Sequence, residues 1–174
     1  MARPYIGGTN GGVVNCDAAT TLGKSDSGKT FYVTDTGSSG YTITLPTPAN
    51  AGIGWNAKFV VNCAAGATLS NSGGEDVILN DGQTDVMVVH YVDVADTGAA
   101  SVVHDDAADT VGFDHTAKKG DFIELSTDGT IWFAYGISAA DAGILAATLI
   151  SLTELGASRI KGLLQICNKG NYGI

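Results

Sequence analysis

Charged residues are scarce in this sequence, and positive charge is missing from its middle. Charged side chains make up 16% of the 174 residues, against about 25% in a typical soluble domain. From Phe59 to Ala117 there are ten acidic residues and no lysine or arginine. Because such a surface repels phosphate backbones and anionic lipids, we expect neither nucleic acid nor a membrane surface as a partner.

Cysteines and long apolar runs are also few. Cys16, Cys63 and Cys167 are too scattered for a disulfide framework. The first residues lack the apolar core of a signal peptide. The longest apolar-leaning stretch, Ile137 to Leu152, contains Asp141 and is too short to span a bilayer. These absences predict a chain made and folded in a reducing cytoplasm.

What the sequence does contain is hydrophobic residues (44%) and 24 glycines, a composition typical of a turn-rich β-fold. In Tyr41–Leu45, apolar residues alternate with threonines, as in a strand with one buried face. Asp85–Asp93 is almost continuously apolar, which predicts a strand covered on both faces. Similar short runs are Thr30–Thr34, Ala57–Cys63, Val77–Leu79, Val102–Val103 and Val111–Phe113. The predicted fold is mostly β, a jelly-roll-like sandwich or a compact β-barrel.

The strongest single element is a hairpin predicted over Lys119–Gly136. Two runs rich in aromatic and β-branched residues flank Ser126-Thr127-Asp128-Gly129, where Asp-Gly supplies the positive φ of a tight turn. We predict that this hairpin closes the β-domain. We also predict that Ile131 and Trp132 lie on opposite faces and that at least one of them is in the core.

The composition divides the chain into three parts. Residues 1–15 are predicted to be an N-terminal arm, 16–137 the β-domain and 138–174 a C-terminal segment with a short helical part. Ser138 is a plausible helix N-cap with Asp141 three residues later. Apolar residues then recur at helical spacing: Ile144, Leu145, Leu149, Leu152 and Leu155.

One stretch, Gly23–Thr30, matches the phosphate-loop pattern G-x-x-x-x-G-K-[ST]. A phosphate loop needs a buried strand before the motif and a helix after it. Here the lead-in is polar, and Phe31 onward alternates like a strand. We therefore predict that the match is accidental and that Lys29 has no nucleotide role.

Two further groups of residues contain side chains that could carry chemistry. The run His104–Asp109, with Asp114 and His115 nearby, offers oxygen ligands for Ca²⁺ or two imidazoles for a transition metal, although its spacing matches no EF-hand. Cys63 and His90 could form a nucleophile and base, but a cysteine in a strand is more often a small buried hydrophobe. The sequence contains no Gly-x-Ser-x-Gly, His-Glu-x-x-His or Cys-x-x-Cys motif. The sequence predicts no enzyme and no cofactor or metal, and it leaves open whether region 104–115 holds an ion.

Three segments together resemble the small virion proteins of tailed bacteriophages, namely capsid decoration (cement) proteins and the related knob domains of fibres. The segments are Met1–Gly8, then Asp26–Phe31 with Thr42–Pro46, and finally Gly120–Trp132. The resemblance implies a protein of the capsid surface that binds the major capsid protein as a homotrimer and stabilises the lattice. The alternative that it implies is a fibre or knob receptor-binding protein.

The candidate contact residues for capsid or neighbouring subunits lie near the two ends of the chain. The arm has anchoring side chains but no core of its own, and the leucine-rich segment has more apolar surface than a small β-domain covers. The candidates are Arg3, Pro4, Tyr5, Ile6, Leu149, Leu152 and Leu155.

Overall fold

The computed structural model describes residues 12–34, 40–65, 67–69, 76–84, 86–94 and 101–147. Among them 53% lie in strands and 6% in helices, which confirms a mostly β fold. The twelve strands are β1 Val13–Cys16, β2 Thr20–Thr21, β3 Lys29–Val33, β4 Tyr41–Thr44, β5 Asn56–Val61, β6 Val77–Asn80, β7 Met87–Asp93, β8 Ser101–Ala108, β9 Thr110–Phe113, β10 Phe122–Thr127, β11 Trp132–Ser138 and β12 Ile144–Ala147. A 3₁₀ turn, Lys24–Asp26, and one helix, α1 Pro48–Ala51, complete the described elements.

The strands form two sheets that enclose one apolar core, so the sandwich architecture is confirmed. The larger sheet has seven strands in the order β1-β3-β5-β10-β11-β7-β8, and the smaller has five in the order β12-β9-β6-β4-β2. Inward positions alternate with outward ones, as the burial of β5, β10 and β11 shows. In the core, Phe31 stacks on Phe59 and Trp55 meets Trp132 edge-on, both with ring centroids 5.1 Å apart.

The strand pairing is not that of a jelly roll. The chain crosses from one sheet to the other at each of its first six strands, so that β1, β3 and β5 lie side by side, as do β2, β4 and β6. Because each strand returns in the same direction, these neighbours are parallel. Of the ten pairings in the described part of the chain, five are parallel, whereas a jelly roll is antiparallel. Buried and exposed residues alternate along a strand in the same way whether its neighbours are parallel or antiparallel, so the sequence pattern did not distinguish the two kinds of pairing.

The predicted hairpin is confirmed, but its place in the sheet is different from the one predicted. β10 and β11 pair from Thr127 opposite Trp132 onwards, and Gly129 has a φ of 92°. Trp132 is fully buried and Ile131 is partly buried. The hairpin lies between β5 and β7, in the middle of the larger sheet. It therefore joins the two halves of that sheet and does not close its edge.

The described part of the predicted helical segment is a strand. Ser138 is the last residue of β11, and Ile144–Ala147 forms β12, which pairs with β9 at the edge of the smaller sheet. The free edge of β9 offers backbone hydrogen bonds that outweigh weak helical propensity. Residues 13–15, assigned to the arm, belong to β1. Residues 1–11 of the arm and 148–174 of the C-terminal segment lie outside the described residues.

Candidate functional site

The larger of the two sheets has seven strands, and its outer face is the one directed away from the core. Strand register places side chains from different strands in rows across this face. One such row, called here the apolar row, is mostly hydrophobic. Its members, in order across the sheet, are Asn15, Tyr32, Val60, Phe122, Ile137, Val92 and Val102. Six spacings between seven strands make the row about 30 Å long.

The side chains of the apolar row are partly or fully exposed. Val102, at the end of the row, is 63% exposed, and its neighbours are partly exposed. The continuous apolar run around β7 predicted a strand covered on both faces, and this prediction was wrong. Met87, Val89 and Tyr91 are buried, whereas the alternate residues face outward. An uncovered apolar stripe on a sheet is typical of a surface that binds another protein.

A second row, two residues away along each strand and therefore on the same face, carries polar side chains. Its members, in order across the sheet, are Thr30, Lys58, Glu124, Tyr135, His90 and His104. The His90 ring contacts the Tyr135 ring on one side and the His104 ring on the other. Tyr135 also contacts the ring of Phe122, a member of the apolar row, and Lys58 Nζ lies 4.0 Å from the Phe122 ring centroid. Lys58 Nζ also donates to Glu124 Oε1 at 2.8 Å. Both partners of this ion pair are exposed, with side-chain exposures of 39% and 51%, so it contributes less than about 1 kcal/mol to stability.

A groove of about 650 Å³ follows this second row. Small-molecule sites usually have volumes of about 300–1,000 Å³, with aromatic walls and a few convergent polar groups. The groove has both: Phe133 and Tyr135 are 42% and 45% exposed, and Lys29, Asn56, Lys58, Glu124, His90 and His104 supply polar groups. Its chemistry suits a ligand that stacks on aromatic rings and accepts hydrogen bonds.

His104 and His115 do not come together as the sequence suggested. His104 lies in β8, directly opposite His90 of β7, with ring centroids 5.7 Å apart. His115 follows β9 and lies instead beside two carboxylates: its Nδ1 is 3.1 Å from Asp114 Oδ1 and 3.8 Å from Asp76 Oδ1. Most of the run 104–109 belongs to the strand β8.

The Asp76, Asp114 and His115 ligand atoms lie within 4.8 Å of one another. Their oxygens already have partners within the loop. Asp114 Oδ1 accepts hydrogen bonds from Thr116 N at 2.8 Å and from Thr116 Oγ1 at 2.6 Å, and Asp76 Oδ1 accepts one from His115 N at 3.1 Å. These bonds explain the cluster as a means of holding the loop after β9.

Cys63 and His90 do not form a nucleophile and base. Cys63 Sγ donates to the Ala67 carbonyl at 3.2 Å, beyond the end of β5. The His90 ring contacts His104 and Tyr135 instead, on the outer face of β7.

The phosphate-loop match lacks the structural context of a nucleotide site. A 3₁₀ turn lies inside the motif, and strand β3 begins at Lys29, as predicted from the alternation after Phe31. Asp26 accepts Gly23 N at 2.7 Å and Lys29 Nζ at 2.6 Å. Although burial alone would raise the pKa of Asp26, the hydrogen bonds and the charge of Lys29 lower it. The motif therefore forms a hydrogen-bonded turn that leads directly into strand β3.

A buried polar cluster, not foreseen from the sequence, lies where β7, β11 and the loop before β12 meet. Asp121 accepts Lys118 N and Ala139 N at 2.8 and 2.9 Å, and its Oδ2 lies 3.0 Å from Ser138 Oγ. Asp93 Oδ2 accepts Ala142 N at 2.7 Å, while its Oδ1 is buried and has no hydrogen-bond partner among the described residues. Burial raises the pKa of Asp93, and the charges of Asp141 and Asp121 add to this effect.

The predicted contact residues cannot be placed on this surface. Arg3, Pro4, Tyr5, Ile6, Leu149, Leu152 and Leu155 all lie outside the described residues. The residues that build the outer face were missed because they come from seven separate strands. One local signal was present: His90 is the single polar residue in the apolar run from Val86 to Val92.

None of the described helices is long and apolar enough to cross a membrane. Comparisons with protein-family models, with curated protein sequences and with solved structures found no match.

Proposed function

We propose that this protein is a structural component of a bacteriophage virion, a decoration protein that binds the outer surface of the capsid and stabilises the lattice. It acts as a homotrimer, and its partner is the major capsid protein. The resemblance of Asp26–Phe31, Thr42–Pro46 and Gly120–Trp132 to such proteins motivates the proposal.

One structural observation supports it: the apolar row crosses all seven strands and is open to solvent. A stable protein interface usually buries about 800 Å² on each partner around an apolar centre. A trimer presents three such surfaces, and each weak contact benefits from the others through effective concentration. The row spans about 30 Å across one sheet, a length that suits binding across the boundary between capsid subunits.

The test is co-sedimentation of the full chain with expanded capsids that lack their decoration protein. We expect the wild-type chain to pellet with the capsids. Val102→Asp places an unpaired charge in the proposed interface and should weaken retention at least about tenfold. The matched control is Ile53→Asp, because Ile53 is 86% exposed in the turn after α1, away from the apolar row.

Two results would count against the proposal. Equal retention of Val102→Asp and Ile53→Asp would remove the apolar row from the binding surface. No retention of the wild-type chain on any capsid would overturn the proposal.

The second candidate is a fibre or knob protein that binds a receptor, and the groove favours it because its exposed aromatic rings suit a small ligand. Binding of the chain to host cells but not to capsids would support that alternative.

A further inference from the structure

The geometry points to a transition-metal site on the outer face, in which the imidazoles of His90 and His104 share one divalent ion of the Zn²⁺ or Ni²⁺ class. This site does not depend on the proposed capsid role. It also differs from the pairing of His104 with His115 that the sequence suggested.

The backbone sets the two histidines directly opposite each other. His90 and His104 are register partners on the antiparallel strands β7 and β8. Both side chains are exposed on the outer face. Directly opposite residues of an antiparallel pair have Cβ atoms about 4.5–5.5 Å apart. Two imidazoles at such positions reach a common point above the sheet without any movement of the backbone.

The separation of the two rings agrees with a shared ion. A Zn–N bond is about 2.0–2.1 Å long and the ligand angle at a tetrahedral ion is about 109°, which places two ligating ring centroids about 5 Å apart. The observed centroids are 5.7 Å apart and the ring planes are inclined by 69°. Small side-chain rotations close the difference. Parallel stacking would have prevented the nitrogens from converging, and the rings are not stacked.

The imidazoles are also available. Within the described part of the chain, neither ring takes part in a hydrogen bond or an ion pair; their contacts are ring contacts with each other and with Tyr135. This distinguishes them from His115, whose Nδ1 is 3.1 Å from Asp114 Oδ1. Imidazole ligands select borderline ions such as Zn²⁺ and Ni²⁺, whereas Ca²⁺ and Mg²⁺ prefer oxygen.

The site opens into the groove, since His90 and His104 are part of its wall. Two protein ligands leave further coordination positions for water or for an oxygen or nitrogen donor of a bound molecule. Lys58 and Glu124 lie in the same row as the two imidazoles. The ion therefore supplies a strong, directional anchor at one end of a groove that otherwise offers aromatic rings and an ion pair.

The test uses the full-length chain, kept reduced, with Ni²⁺ as the probe in calorimetry. We expect one ion per chain at this site, and His90→Ala or His104→Ala should each weaken its binding at least about tenfold, because loss of even an outer-shell partner weakens metal binding about 10–100-fold. Both side chains are exposed, so both variants should keep the wild-type Tm in the absence of metal. Paramagnetic broadening of NMR signals by Ni²⁺ should be centred on β7 and β8.

Two controls identify the site. Tyr135→Phe keeps the neighbouring ring and should leave Ni²⁺ affinity unchanged. His115→Ala should also leave it unchanged; loss of binding in this variant would place the ion at the Asp76–Asp114–His115 cluster and overturn the inference. Wild-type affinity in both His90→Ala and His104→Ala, or displacement of Ni²⁺ by equimolar Ca²⁺, would overturn it as well.

Discussion

Trp132 is fully buried, and two different interactions position its indole ring. The ring meets Trp55 edge-on with centroids 5.1 Å apart, and Nε1 donates to Asp81 Oδ2 at 3.1 Å. We expect Trp132→Ala to lower the free energy of unfolding by about 3–5 kcal/mol, because it leaves a large cavity. Trp132→Phe keeps most of the ring but removes a donor from the buried Asp81, at a cost of about 1–3 kcal/mol.

Urea denaturation of the two variants measures both effects. The control is Phe133→Ala, one residue further on and on the opposite face, where the side chain is 42% exposed. This change should cost less than either Trp132 variant. If Trp132→Ala proved no worse than Phe133→Ala, the hairpin would not contribute to the core as described.

Two aspartates should affect stability with opposite dependence on pH. Burial raises the pKa of Asp93 above its ordinary value of 3.8. The folded protein then holds this proton more tightly than the unfolded chain, so the contribution of Asp93 to stability is present below about pH 3.8 and is lost as the pH rises through the raised pKa. The stability of wild type relative to Asp93→Asn should therefore fall as the pH rises above about 4.

Asp128 should behave in the opposite way. Its carboxylate accepts hydrogen bonds from the Thr130 side chain and from Ile131 and Thr130 N–H, which lower its pKa below 3.8. The contribution of Asp128 to the stability of the fold is therefore present above about pH 3.8 and is lost as the pH falls through the lowered pKa. Urea denaturation from pH 3 to pH 8 of wild type, Asp93→Asn and Asp128→Asn tests both signs. Equal slopes for all three proteins would contradict the assignment.

At the scale of single elements, β12 packs against β11 where Ile144 of β12 lies over Gly136 of β11, a residue without a side chain. A Cβ at Gly136 would lie 2.7 Å from Ile144 Cδ1 and 2.9 Å from the Phe122 carbonyl oxygen. We expect Gly136→Ala to cost about 1–3 kcal/mol by overpacking. Ile144→Val removes Cδ1 and should cost about 0.5–1.5 kcal/mol alone.

The double variant decides whether this contact is the cause. Because valine lacks the clashing atom, Gly136→Ala with Ile144→Val should cost less than the sum of the single changes. The control is Gly23→Ala, whose added Cβ would meet only Asp26 Oδ2, at 4.0 Å, and thermal denaturation should show little change. Strict additivity at Gly136 and Ile144 would mean that the Phe122 carbonyl limits the space instead.

The elements that the sequence predicted well are those that local chemistry determines. The hairpin was identified because Asp128 and Gly129 define its turn, and the strand after Gly28 because alternation begins at Phe31. β12 was predicted as a helix because two adjacent apolar residues, Ile144 and Leu145, are compatible with the first turn of a helix as well as with a strand. Only the available edge of β9, more than thirty residues away along the chain, decides between them.

The candidate site was harder to predict than the fold for the same reason. Its residues share a row only through strand pairing, and no local pattern shows which strands are neighbours. His104 was recognised as a candidate ligand, but His90, its partner, was considered only with Cys63. The contact between β7 and β8 was the missing information.

For the whole molecule, the principal prediction concerns assembly. We predict a homotrimer in which the stretch Met1 to Gly12 of the N-terminal arm contributes contacts, since this stretch contains Arg3, Tyr5 and Ile6 and no core of its own. Multi-angle light scattering should give three times the 17.7 kDa chain mass at micromolar concentration. A monomer at that concentration would contradict the prediction for the free protein.

Deleting residues 1–11 tests the arm separately. This deletion keeps Gly12, whose carbonyl accepts the Thr30 N–H at 3.0 Å, so β1 retains its pairing. We expect a shift from trimer toward monomer or weaker retention on capsids. If neither changes, the arm makes no contacts, and the β-domain surface alone carries assembly.

The position of the hairpin also determines the order in which the chain can be completed during synthesis. The first three strands of the larger sheet, β1, β3 and β5, are synthesised early and are neighbours in the sheet. The edge of β5 that faces away from β3 has no partner strand until β10 has been synthesised. From residue 61 until residue 127 has been made, a nascent chain presents that strand edge unpaired, a state that favours association between copies. Truncated translation products that end before the hairpin therefore carry an open edge that the finished protein covers.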